Sequence, residues 1–72
     1  MHDRVVQLDW TEVCDPALAG FEGRFYVGQV VRYDVPAGWR GFIHGRPIGG
    51  GPWTDHIEAC QAVERAWGRD RS

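Results

Sequence analysis

Residues 24–46 read RFYVGQVVRYDVPAGWRGFIHGR. The first ten residues are rich in β-branched and aromatic types. DVPAG has turn composition, and WRGFIHGR returns as a second strand. The stretch predicts one β-hairpin, and the rest of the chain is placed around it. Counting by two from Phe25 puts Phe25, Val27, Gln29, Val31 and Tyr33 on one face and Arg24, Tyr26, Gly28, Val30 and Arg32 on the other. Setting Tyr33 opposite Trp39 adds Trp39, Gly41 and Ile43 to the first face and Arg40, Phe42, His44 and Arg46 to the second. The first face is apolar and suits a helix packing on it. The second collects arginines and aromatic rings.

Downstream, Pro47 cannot donate to a ladder and is expected to end the strand. Gly49-Gly50-Gly51-Pro52 reads as a connector. It lacks the Lys and Ser/Thr that a phosphate-binding loop requires. Thr54 or Asp55 then caps a helix over about 55–67, with Asp55 and Glu58 at capping-box spacing and Gly68 as the stop. On a helical wheel Ile57, Ala59, Cys60, Val63, Ala66 and Trp67 share one half. Glu58, Gln61 and Arg65 share the other, and Glu64 falls at the margin. Residues 69–72 read as a polar tail.

Upstream, residues 5–10 (VVQLDW) read as a short strand with Val6, Leu8 and Trp10 on one face. Residues 11–23 read as a loop. In it Asp15-Pro16 favours a turn, and Ala17-Leu18-Ala19 makes one helical turn ended by Gly20. The fold class expected is α+β: a single domain over residues 1–72, with a small antiparallel sheet of two to three strands packed against one C-terminal helix.

With 72 residues the chain builds one small core, helped by four Trp, two Tyr and three Phe. Charge is uneven. The first 22 residues hold one Arg against five acids, whereas residues 23–53 hold four Arg against one Asp. The formal net charge of −2 excludes a globally basic nucleic-acid binder and leaves room for a local basic face. All eight cations are Arg, the side chain suited to planar, bidentate contacts. The N-terminal stretch has no apolar run of signal-peptide length, and no segment is long and apolar enough to span a membrane. Two cysteines make no disulfide framework, so a cytoplasmic protein with reduced Cys14 and Cys60 is expected.

Specific chemistry is sparse. His56 and Cys60 are four residues apart on one helix face, as half of a zinc site could be. The other half would have to come from Cys14, His44 or His2, without any close-spaced ligand pair, so no metal is expected. Cys60 with His44 or His56 could be imagined as nucleophile and base. The helix face instead predicts a buried, inert thiol. No carboxylate pair is set up by spacing. The chain is therefore expected to be no enzyme, to need no cofactor and to bind no small molecule. The candidate binding residues are Arg24, Tyr26, Arg32, Arg40, Phe42, His44 and Arg46, types that serve phosphate contact and base stacking as well as protein hot spots.

In element order, residues 24–67 resemble the N-terminal arm-binding domains of some integrases, where a three-stranded sheet backed by a helix binds DNA. In size and character the chain is similar to the small accessory and inhibitor proteins of phages and mobile elements, anti-CRISPR proteins among them. That likeness implies a host nucleic-acid-handling complex as target, with acidic patches occupying a surface meant for nucleic acid. The acidic lead-in opposes phosphate contact. The expectation is thus a protein-binding module, with nucleic-acid binding through the Arg–aromatic face as the alternative.

Overall fold

The computed structural model describes residues 6–71, and of Asp70 and Arg71 only the backbone. Five strands, β1 (Asp9–Cys14), β2 (Ala17–Glu22), β3 (Phe25–Asp34), β4 (Ala37–Ile43) and β5 (Arg46–Pro47), are followed by one helix, α1 (His56–Arg71). The strands form an antiparallel meander in the order β1-β2-β3-β4-β5. The α+β class is as expected, but the sheet has five strands rather than two to three.

Of the two additional strands, β2 lies in the segment expected to be a loop, and β5 arises because the returning strand stops at Ile43 and turns at His44-Gly45 instead of running on to Arg46. Asp15 and Pro16 do form a turn, but a tight one that folds β2 back on β1. Ala17-Leu18-Ala19 is helix-prone by itself. Pairing with β1 on one side and β3 on the other overrides that preference. Gly20 does not stop a helix. It makes room for the Trp10 indole, whose ring carbons would lie 2.9 Å from a Cβ at that position. The strand expected over residues 5–10 starts at Asp9 and runs on to Cys14. Val5 and His2 lie outside the described residues.

The hairpin register is one residue off the expected one. The turn is only Val35-Pro36, with Asp34 paired to Ala37, so Tyr33 faces Gly38 and Arg32 faces Trp39. A β-bulge adds a second change. Gly20 pairs with Gly28 and Phe21 with Tyr26, which leaves Val27 as the extra residue in β3. Period-two counting fails across such a bulge. Val27 and Val30 are therefore both fully buried although their numbers differ by three.

One sheet face carries Leu18, Val27, Val30, Trp39, Gly41 and Ile43, and α1 packs over β3 and β4 on that side. Ala59, Cys60 and Val63 are the helix's buried members of the apolar core, with Ala66 and Trp67 packed beside them. Ile57, on the apolar half of the helical wheel, is 57% exposed. Glu64 is instead the buried helix residue that the wheel left at the margin. The helix also runs past Gly68, which is buried, to Arg71. Its start is capped by Asp55, whose Oδ1 accepts from the Glu58 amide at 2.8 Å. No helix among the described residues is long and apolar enough to cross a membrane.

The outer edge of β4 is covered. β5 pairs with it, the Ile48 amide donates to the Gly41 carbonyl at 3.0 Å, and Trp39 and Trp53 exchange backbone hydrogen bonds at 2.8 and 2.9 Å. The triple glycine is the loop between these two pairings. The opposite edge of the sheet, β1, carries no such cover among the described residues.

Candidate functional site: the helix-free sheet face

Paired residues share a side of the sheet, so the ladder divides the candidate residues directly. On the side away from α1 one row reads Thr11, Ala19, Gln29, Phe42, Pro47. The next reads Cys14, Ala17, Val31, Arg40. Asp9, Phe21 and Tyr26 flank them at one end, and Tyr33 at the other.

Among the described residues this face is apolar and aromatic, with Arg40 and Asp9 as its charged members. Ala17 and Ala19 form a nearly closed floor, 7% and 4% exposed, with bulky side chains around it. The Arg40 guanidinium carbon sits 5.3 Å from the Tyr33 ring centroid, a cation–π arrangement that fixes the charge over the ring. Phe21 and Tyr26 meet edge to face at 5.9 Å.

The seven residues predicted from sequence are therefore only partly brought together. Tyr26, Arg40 and Phe42 lie on the helix-free face. Arg32 stands opposite Trp39 because of the register change, and Arg46 stands opposite Ile43 because the chain turns at His44-Gly45 and returns as β5; both are on the helix side. His44 occupies the β4–β5 turn with φ +50°, and its ring meets Trp67 of α1 edge to face at 5.5 Å. Arg24 is in the β2–β3 turn. A single Arg–aromatic face of seven residues does not form. The β2 residues Phe21, Ala17 and Ala19 belong to the face and were missed. No alternation is visible in ALAGFE, and Ala17-Leu18-Ala19 by itself favours a helical turn.

The remaining candidates separate in the same way. Among the described residues no group of three or more His, Cys, Asp or Glu comes together as a metal site would require. His56 packs against Trp39, ring centroids 5.7 Å apart. Burial, and then the charge of Glu64, pushes the Cys60 thiol up to about 12, so it stays protonated and a poor nucleophile at neutral pH. Both cysteines are free.

Comparison with protein-family models, with curated proteins and with solved structures gives no match for this chain.

Proposed function

We propose that the chain is a non-enzymatic protein-binding module and that the helix-free sheet face is its contact surface. The observation that carries this is the composition of that face: Phe21, Tyr26, Val31, Tyr33 and Phe42 around an alanine floor, with Arg40 as its one cation among the described residues. Aromatic rings and a held arginine are the side chains that dominate protein interfaces. Phosphate binding needs several cations on one surface. Here Arg32 and Arg46 are on the other side of the sheet, which weakens the nucleic-acid alternative. The narrower proposal, an inhibitor of a host nucleic-acid-handling complex of the CRISPR type, is supported by the likeness in size and character alone.

The test compares two double variants, each verified to fold by circular dichroism, in quantitative pull-downs from the native host. Arg40→Ala with Phe42→Ala is expected to lose the partner that the parent chain captures. Arg32→Ala with Arg46→Ala is expected to keep it. Sub-micromolar binding to random-sequence DNA or RNA at about 150 mM salt, abolished by the first double variant, would replace the protein partner with nucleic acid.

A further inference from the structure

The β1 edge has the opposite character to the β4 edge. It is six residues long, and every side chain on it except Trp10 is exposed. No backbone hydrogen bond among the described residues reaches it from outside. An unpaired strand edge is a template for another strand. What it admits depends on the charge along it. Residues 9–22 carry Asp9, Glu12, Asp15 and Glu22 and no Arg or Lys.

A groove of about 250 Å³ opens on the helix side of this edge, lined by Glu12, Asp15, Leu18, Trp39 and His56 among others. Glu12 lies in the same cross-strand row as Leu18, so a residue added outside β1 in that row would stand next to Glu12. A long cationic side chain there could extend past Glu12 toward the Trp39 ring, gaining both carboxylate and cation–π contact. Asp55 and Glu58 at the start of α1 offset the positive end of the helix, which would otherwise repel such a group.

We propose that the outer edge of β1 is a strand-addition site for an extended Arg- or Lys-rich segment of a protein partner, with one cationic side chain seated between Glu12, Asp15, Trp39 and His56. Charge selects this occupant over a second copy of the chain. Two β1 edges would bring Asp9 and Glu12 of each against the other's, with no cation on either strand. The bulge at Val13, where the register shifts between Glu12 and Cys14, confines regular pairing to the Asp9–Glu12 part of the strand. The inference shares the protein-binding reading but uses a different surface, so edge and face can fail separately.

The experiment titrates the isotope-labelled chain with capped hexapeptides and follows backbone amides by NMR. The probes are alternating Arg-Val, alternating Glu-Val, alternating Arg-Gly of equal charge, and Arg-Val N-methylated along one edge. The Arg-Val peptide is expected to give saturable shifts at residues 9–14, Trp39 and His56. Its binding should be at least about tenfold tighter than that of the Glu-Val or Arg-Gly peptide. Glu12→Gln with Asp15→Asn, both exposed positions, should weaken it about fivefold or more, and N-methylation should abolish it. Equal binding of the Arg-Gly and N-methylated peptides would reduce the site to unspecific charge and overturn the proposal. Shifts confined to Tyr26, Val31 and Phe42 would also overturn it, while leaving the sheet-face reading standing.

Discussion

The indole nitrogen of Trp10 donates a 3.0 Å hydrogen bond to Glu64 Oε2, joining the first strand to the middle of the helix across 54 positions of sequence. The same oxygen accepts from the Leu8 amide at 2.9 Å. Glu64 is only 9% exposed, so this carboxylate is a buried acceptor with two donors that depend on it. Hydrogen bonds to a charged group are stronger than neutral ones, and a buried donor left alone costs its full desolvation. The contact ties the chain entering β1 to α1, and β1 is the strand whose outer edge stands open.

Glu64→Ala is accordingly expected to destabilise the fold by about 2–4 kcal/mol, since it strands both donors. Trp10→Phe keeps the ring on Gly20 and removes one donor, and should cost about 1 kcal/mol. Urea titrations of the two single variants and the double variant should show a coupling energy above about 0.5 kcal/mol. Strict additivity would mean that the two residues do not interact in solution.

The cap of α1 supports a smaller prediction. Asp55 Oδ1 takes the Glu58 amide, while the Glu58 carboxylate, instead of closing the reciprocal capping box, accepts from the Thr54 hydroxyl at 2.6 Å. Asp55→Ala should cost about 1 kcal/mol and Asp55→Asn much less, because Asn also caps. An alanine variant as stable as the parent in the same titration would show that the helix start is held by other contacts.

How much of this was legible in the sequence can be followed residue by residue. The α1 core positions Ala59, Cys60 and Val63 follow from period 3.6, and the existence of the hairpin follows from its residue types and turn, although it spans 25–43 rather than 24–46, because the chain turns again at His44-Gly45. The division of that hairpin into faces does not. It depends on whether the turn takes two residues or five, and on a bulge at Val27, neither of which alternation reveals. β2 was hidden because alanine and glycine have weak strand preference. Their small size is required where Trp10 lies on Gly20 and where Ala17 and Ala19 floor the open face. Glu64 was hidden because its partners, Leu8 and Trp10, are more than 50 positions away. Of the seven candidate residues, Arg40 and Phe42 stayed together because both are on β4, two apart; Arg32 was lost to the register, and Arg46 to the turn at His44-Gly45 that starts β5.

Close packing of α1 on the sheet gives a paired prediction on glycines. A Cβ at Gly41 would lie 2.6 Å from Val63 Cγ2 and 3.0 Å from Ile48 Cδ1, so the helix or the segment after β5 must shift to admit it. Gly41→Ala should cost about 1–3 kcal/mol as overpacking. At Gly49 an added Cβ meets nothing within 4 Å, and Gly49→Ala should stay within about 0.5 kcal/mol of the parent. Thermal unfolding of the two variants side by side checks this. Equal losses would mean that α1 does not sit on β4 at Gly41.

The two thiols should behave as differently as their surroundings. Cys14 is exposed on the helix-free face, and Cys60 is buried under α1 beside Glu64. At pH 8 a thiol reagent is expected to label Cys14 promptly and Cys60 only on the timescale of unfolding. Labelling of both at one rate in the native protein would show that Cys60 is accessible. The same burial predicts a pH dependence. The folded Cys60 thiol is raised from its ordinary value of 9.0 to about 12, so the folded state favours the protonated form. Its contribution to stability is complete below about pH 9, where both states keep the proton. It is lost progressively from about pH 9 to about pH 12, where the unfolded chain ionises and the folded one does not. Other groups titrate in that window too, and Cys60→Ala isolates the thiol. The parent should lose more stability than Cys60→Ala between pH 8.5 and about 11 in paired urea titrations. Parallel losses in the two proteins would show that the thiol ionises in the folded state as readily as in the unfolded chain.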